Sequence, residues 1–180
     1  MPILGTVASQ FSGKPFSSFE SIASYSISSN TASVTFSSIS SSYKHLQIRG
    51  VYYSTANNGS DVLMRFNSDS GNNYSHHGYV GNGVSNATSY GSGSQSYVVV
   101  GNQSIGTTPG TGICDILDFA NTNKYKTTRA TCTLTLSGGG QIYYMGGNWR
   151  NNSAITSIEI SAYSSNFKAG TLISLYGIKG

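Results

Sequence analysis

The sequence feature that most constrains the fold is a series of short segments in which apolar and polar residues alternate. Residues 21–28 form one such segment, and residues 62–67 form another that stops at the turn cluster NSDSG. Alternation with a period of two is typical of a strand with one buried face. Similar segments recur at intervals of roughly 8 to 15 residues, a spacing that favours a sandwich or a barrel. The chain is therefore predicted to be all-β.

The composition agrees with this prediction, because the chain is polar without being charged. Charged residues make up 9% of the 180 positions, whereas 22 residues are glycine and 37% are hydrophobic. Charged residues make up about a quarter of a typical soluble domain. Long helical bundles need those residues, a membrane-spanning helix needs about 20 consecutive apolar ones, and a typical disordered chain lacks this much hydrophobic material. With these classes excluded, the chain is predicted to be one domain that is large enough to bury its own core.

The segments predict a single-domain antiparallel β-sandwich, jelly-roll-like, with about 8–10 strands over residues 21–180. Residues 1–20 do not alternate and are predicted to form an N-terminal arm. Residues 81–94 are glycine-rich and are predicted to be a flexible loop. The run Ser96 to Val100 is predicted to be a strand buried on both faces.

The charged residues and cysteines do not indicate a nucleic-acid site or a disulfide framework. The net charge is +4, and Lys124, Lys126 and Arg129 form the only local basic cluster. We interpret that cluster as a solvated strand entry, because nucleic-acid binding would want a denser basic stripe. Cys132 lies on the apolar side of its segment and is predicted to be a buried thiol. A bridge to Cys114 requires that their strands be neighbours.

Patterns for catalysis and for metal binding are weak, and we predict no catalytic residues, no metal and no cofactor. Asn67, Asp69 and Asn73 are the best calcium candidates, but a turn is the favoured interpretation, because Gly78 stands where an EF-hand would end in Glu. Asp115 and Asp118 are three apart on a strand and so face opposite sides. One of them is expected to accept from backbone or arginine donors, and the other to open the next loop.

Aromatic residues are the most suggestive side chains, and they leave three interpretations open: core, protein interface or glycan platform. Tyrosine and tryptophan combine apolar area with a polar tip and are enriched at interfaces. In each Tyr-Tyr pair, alternation forces one ring inward. The candidate interface residues are Phe11, Phe16 and Phe19 of the arm together with Tyr52, Tyr53, Tyr143, Tyr144 and Trp149.

Four segments resemble a family of small structural proteins of tailed bacteriophages, often seen in marine and cyanobacterial phages. They are TFSSISSSYKHLQIRG (35–50), MRFNSDSGNNYSHHGYVGNG (64–83), ILDFANTNKYKTTRA (116–130) and WRNNSAITSIEISAYSSNFKAGTLISLYGIKG (149–180). The resemblance covers most of the chain beyond residue 20, and the closing segment from Phe167 to Ile178 is its most specific part. It implies a virion component and no catalytic residues.

From the resemblance we predict a capsid decoration (cement) protein, which would stabilise the head by bridging major capsid subunits. We favour a homotrimer as its assembly. The alternatives are a tail, baseplate or fibre component, or a module that recognises a host-surface glycan. Other virion proteins are the expected partners, and no nucleic acid or membrane is expected. The first ten residues lack a basic n-region, so no signal peptide is predicted, and we expect synthesis in the host cytoplasm before assembly into the particle.

Overall fold

The structure is a computed structural model that describes residues 18–56, 59–103, 108–136 and 139–180. Twelve strands lie in these ranges: β1 (Phe19–Ser26), β2 (Ser33–Phe36), β3 (His45–Tyr52), β4 (Ser60–Phe66), β5 (Tyr74–Gly81), β6 (Thr88–Gln95), β7 (Val98–Gln103), β8 (Gly110–Leu117), β9 (Lys126–Leu136), β10 (Gly139–Trp149), β11 (Ile158–Ala162) and β12 (Leu172–Ile178). The described residues contain no helix, and therefore no helix long and apolar enough to cross a membrane.

The strands form two antiparallel sheets that pack as a sandwich, which confirms the predicted fold class. The large sheet has eight strands in the order β1-β12-β3-β8-β9-β10-β5-β6, and the small sheet has four in the order β2-β11-β4-β7. Twelve strands exceed the eight to ten predicted. The arrangement is compatible with a jelly roll.

The core lies between the small sheet and the inner face of the large one. In β8 and in the second half of β10, every second side chain is buried, as alternation predicts. The prediction of a strand buried on both faces is confirmed for β7, in which all six residues are buried. Although β7 is an edge strand of the small sheet, it packs against β8 and β9 of the large sheet.

The prediction of a flexible loop at residues 81–94 was wrong, because its second half forms β6. This strand pairs antiparallel with β5, where Tyr79 lies opposite Ser89 and His77 lies opposite Gly91. Its serines and glycines show no apolar alternation, since only backbone hydrogen bonds to β5 are needed to hold an edge strand. Only Tyr90 supplies a large side chain, which packs against the core.

The Tyr52 ring is held in a cage of three glycines from three strands. A Cβ atom at Gly50 would lie 2.0 Å from its Cζ atom, and Cβ atoms at Gly101 and Gly112 would lie 2.8 and 3.2 Å from its Cε2 atom. The ring is fully buried. The absence of these three side chains is what lets β3, β7 and β8 close around a tyrosine.

Candidate binding face

The outer face of the large sheet, which points away from the small sheet, is the part of the described surface with the most exposed large hydrophobic side chains. Six of the exposed side chains lie on it: Tyr79, Ile113, Leu117, Ile142, Tyr144 and Leu172. Alternation places them there, because each neighbours a residue whose side chain points to the core. Exposed apolar groups gathered on one face are a sign of a binding surface.

Strand register brings residues from distant parts of the sequence into straight rows across this face. In one row, Gln47 pairs with Asp115, Asp115 with Arg129, Arg129 with Gly146, and Gly146 with His77. In the next row, Thr131 pairs with Tyr144 and Tyr144 with Tyr79. Neighbouring strands are about 4.8 Å apart, so side chains in one row can bind one ligand.

A hydrogen-bonded polar group occupies the middle of the face. Asp115 accepts a hydrogen bond of 2.7 Å from Gln47 and one of 2.8 Å from Arg129. Gln47 in turn accepts one of 2.7 Å from Arg49. Burial raises the pKa of Asp115, but the hydrogen bonds from Gln47 and Arg129 outweigh it and hold the pKa below its usual value. The carboxylate is therefore ionised at neutral pH and fixes the Arg129 guanidinium in place.

The aromatic groove is an open depression over β9, β10, β5 and β6. It encloses about 590 Å³ and is lined by His77, Tyr79, Ser89, Arg129, Thr131, Tyr144 and Gly146, together with the residues that alternate with them. Tyr79 and Tyr144 stand side by side and are 64% and 57% exposed. Gly146 leaves a gap between Arg129 and His77, and this gap is the floor of the groove.

The aliphatic groove is a second, smaller depression over β12, β3 and β8. It encloses about 300 Å³, and its side chains come from Arg49, Val51, Thr111, Ile113, Leu172, Ser174 and Tyr176. At its rim, Phe19 stacks on Tyr176 with ring centroids 4.8 Å apart, and the Arg49 guanidinium lies 4.8 Å from the Phe19 ring centre. Strand β1 is the edge of the sheet at this side.

Beneath the aromatic groove lies a buried polar cluster. Tyr90 donates a hydrogen bond of 2.6 Å to Asp61, and the His76 ring stacks between Tyr90 and Tyr97 at 5.8 and 5.9 Å. Burial raises the pKa of Asp61 and lowers the pKa of His76. The Nδ1 atom of His76 is buried without a hydrogen-bond partner. These buried groups pack beneath the strands that carry the aromatic groove.

We predict that stability falls as the pH drops below about 6.5, because of His76. Its folded pKa lies below the unfolded value of 6.5, so below that pH the unfolded chain takes up a proton that the folded protein resists. Urea unfolding at pH 7.5 and at pH 5.5 should show a smaller loss of unfolding free energy for His76→Gln than for the unchanged protein. An equal loss in the two proteins would contradict the prediction.

The structure divides the predicted interface residues. Tyr52 and Trp149 are buried in the core, so they are not available to a partner, whereas Tyr53 and Tyr143 are half-buried and Tyr144 is exposed. One ring of each Tyr-Tyr pair is thus more buried than the other, as alternation predicted. Phe19 is half-buried at the rim of the aliphatic groove. The other two predicted arm residues, Phe11 and Phe16, lie outside the described residues.

The calcium candidates form a turn that uses their polar atoms internally. The Asp69 carboxylate accepts hydrogen bonds from the Gly71 backbone at 2.9 Å, from the Asn73 amide and from the Trp149 indole at 2.7 Å. Asn67 bonds instead to the segment before β11, accepting from the Thr156 backbone at 2.8 Å. The carboxylate that a cation would need is therefore occupied by N–H donors.

Asp115 accepts from an arginine, as was expected for one of the two aspartates, and Asp118 opens the β8–β9 loop, as was expected for the other. Because β8 ends at Leu117 and Asp118 has a positive φ angle, the alternation of the strand does not extend to Asp118. Asp115 binds Arg129 on the outer face, while Asp118 binds Lys44 at 2.9 Å and also Lys124 at the start of the β8–β9 loop. Hydrogen bonds from Lys124 and Lys44 lower the pKa of Asp118 to about 2. No group of three or more His, Cys, Asp or Glu residues suited to a metal occurs in the described ranges.

The interpretation of Lys126 as part of a solvated basic cluster was wrong. Its side chain is fully buried, and its ammonium donates to the backbone carbonyls of Asn121, Lys124 and Asn152 at 2.6, 3.0 and 3.1 Å. Burial lowers its pKa. Three carbonyl oxygens replace the water that a buried ammonium loses, so this lysine closes the β8–β9 loop against the segment after β10.

Both cysteines are buried free thiols, as was predicted for Cys132. Cys114 lies opposite Ala130 and Cys132 lies opposite Gly112, so they are on neighbouring strands but not directly paired. Burial raises the pKa of both thiols, that of Cys132 to about 12. They are core side chains and not reactive ones.

Sequence reasoning missed His77, Tyr79 and Arg129 as members of one site. Alternation predicts that all three side chains point outward, but it does not predict that β9, β10 and β5 are neighbours. Comparison with known proteins adds no such information, because no family model, no curated protein and no solved structure matches this chain.

Proposed function

We propose that this chain is a structural protein of a tailed-bacteriophage virion, and that it decorates the capsid by bridging major capsid subunits. The resemblance of its four segments to phage structural proteins supports the virion role. The aliphatic groove is the observation that supports binding to a neighbouring subunit. The protein acts by adhesion, because each contact with a shell subunit stabilises the bound state by mass action and several contacts add avidity.

The aliphatic groove has the make-up of a protein contact. Ile113 and Leu172 are 48% and 44% exposed, although residues of this type are usually buried. Beside them, Arg49 lies over Phe19 and Tyr176, and arginine and tyrosine are enriched where interfaces gain most of their binding energy. Among the described strands β1 is the edge of the large sheet, and an edge strand can pair with an added strand. Phe19 and Glu20, the last two residues of the predicted N-terminal arm, lie in β1 at this edge.

A tail, baseplate or fibre position is the second location for the same kind of contact. The groove binds a neighbouring subunit in either place, so the location has to be tested on the particle. Labelling purified virions with gold-conjugated antibody against this chain separates the two. Label spread evenly over the head supports decoration, whereas label along the tail or at one vertex contradicts it.

The contact itself is tested by adding Leu172→Asp to purified particles that lack the chain. We expect this protein to fold and to lose most of its binding, because an aspartate in the groove would have to be desolvated against the partner. Thr127→Asp, on the same face outside the groove, should bind like the unchanged protein. Equal binding of all three proteins would exclude the groove as the contact. The mass in solution, 19.0 kDa for a monomer and three times that for the expected trimer, tests the oligomer separately.

A further inference from the structure

We propose that the aromatic groove is a binding site for a saccharide that carries a carboxylate. The groove occupies the β9, β10, β5 and β6 half of the outer face, whereas the aliphatic groove lies in the other half. The site therefore does not depend on the virion contact proposed above. Three observations support it: an exposed aromatic pair, an arginine at the rim of a groove whose described lining residues include no acid, and a glycine floor.

The aromatic pair provides the surface on which a sugar ring can lie. Tyr79 and Tyr144 are directly opposite each other on β5 and β10, and both are more than half exposed. One face of a pyranose ring presents C–H bonds, which pack on the electron-rich face of an aromatic ring. The hydroxyl groups of the sugar then point to the edges of the ring, where the polar side chains of the groove stand.

The rim provides hydrogen-bond donors, among them a guanidinium that also pairs with Asp115. Arg129 lies on one side of the floor with 75% of its side chain exposed, and His77 lies on the other side. Asp115 engages one nitrogen of the Arg129 guanidinium, and the Arg129 side chain lines the groove. None of the described lining residues is acidic. A carboxylate is the sugar substituent that an arginine fork binds best, because both oxygens can accept at once.

The floor gives the groove its depth and its direction. A Cβ atom at Gly146 would meet only the His77 carbonyl oxygen, at 3.8 Å, so the space above this glycine is open. A second depression of about 430 Å³ continues over β5 and β6 and shares His77, Ser89 and Tyr90 with the first. Together the two depressions extend from β9 to β6, which is three strand spacings, or about 14 Å. This length suits a saccharide chain better than a single sugar.

Binding to an array of uronate- and sialate-containing oligosaccharides, with their neutral parents, tests the ligand class. We expect signal on carboxylated glycans, and at least about tenfold weaker binding when the best of them is converted to its methyl ester. Tyr144→Ala should weaken binding at least about tenfold, and Arg129→Gln should remove the preference for the acid over the ester. Tyr125→Ala removes an equally exposed tyrosine in the β8–β9 loop and should change nothing. Absence of binding to every carboxylated glycan would overturn the proposal.

A second variant separates loss of binding from loss of folding. At position 146 there is room for a valine side chain, and valine favours strands. Gly146→Val should therefore be at least as stable as the unchanged protein. Its side chain should fill the groove and abolish binding. Gly81→Val adds the same side chain on β5 outside the groove, where its Cβ atom would contact Ile142 at 3.7 Å, and should bind normally. If Gly146→Val bound the glycan normally, the groove would not be the site. If it instead converted an oligomer into a monomer, the groove would hold a second copy of the chain, and the saccharide proposal would be wrong.

Discussion

Replacing Trp149 with alanine should lower the free energy of unfolding by about 4 kcal/mol, the cost of deleting a large buried aromatic side chain. The indole is almost fully buried, with ring centroids 5.4 Å from Phe66 and 6.2 Å from Tyr74. Its N–H also donates to Asp69, so its removal opens a cavity and takes one donor from the turn between β4 and β5. Because Trp149 is the only tryptophan, unfolding in urea should be followed by circular dichroism.

Two further variants separate the ring of Trp149 from its N–H group. Trp149→Phe keeps most of the aromatic packing but loses the hydrogen bond to Asp69, and we expect a loss of about 1–2 kcal/mol. Tyr125→Ala removes an exposed ring and should stay within about 0.5 kcal/mol of the unchanged protein. A loss below about 1 kcal/mol for Trp149→Ala would show that this aromatic cluster does not stabilise the sandwich.

Replacing Gly50 with alanine should cost about 3 kcal/mol, which is large for the addition of one methyl group. The new Cβ atom would lie 2.0 Å from the Tyr52 ring, and Gly101 and Gly112 close the other sides of the cage. The φ angle of Gly50 is not positive, so the cost is a steric one and not backbone strain. Urea unfolding measures it directly.

The cage gives this prediction an internal control. In a Tyr52→Leu background the clashing ring is absent, and Gly50→Ala should then cost less than about 1 kcal/mol. Equal costs in both backgrounds would mean that the clash lies elsewhere. Tyr52→Phe alone should raise stability by up to about 1 kcal/mol, because the Tyr52 hydroxyl is buried without a hydrogen-bond partner. Gly81→Ala, where only Ile142 is near at 3.7 Å, serves as the neutral glycine control.

Local patterns predicted most of the strands because their cause is local. Alternation in β3 and β8 follows from one buried and one exposed face, and the fully buried β7 was recognised from its continuous apolar run. The edge strand β6 was missed for the same reason. Its serine and glycine side chains carry no pattern, and backbone pairing with β5 is what makes it a strand.

The binding face depended on contacts that the sequence does not encode in any short segment. His77, Arg129 and Tyr144 are up to 67 positions apart, yet they lie in adjoining rows because β5, β10 and β9 are neighbours. Lys126 likewise resembled a surface lysine until the β8–β9 loop and the segment after β10 placed three carbonyl oxygens around its ammonium.

By itself, the sequence determined that this protein is an all-β sandwich with an uncharged polar surface, and which side of most strands faces the core. The period of two is a property of each strand, so it can be read without knowledge of the others. Only the tertiary structure decided which outward side chains share a groove. Strand order and register are set by packing between residues that are far apart in the chain, and they placed two grooves on one sheet face.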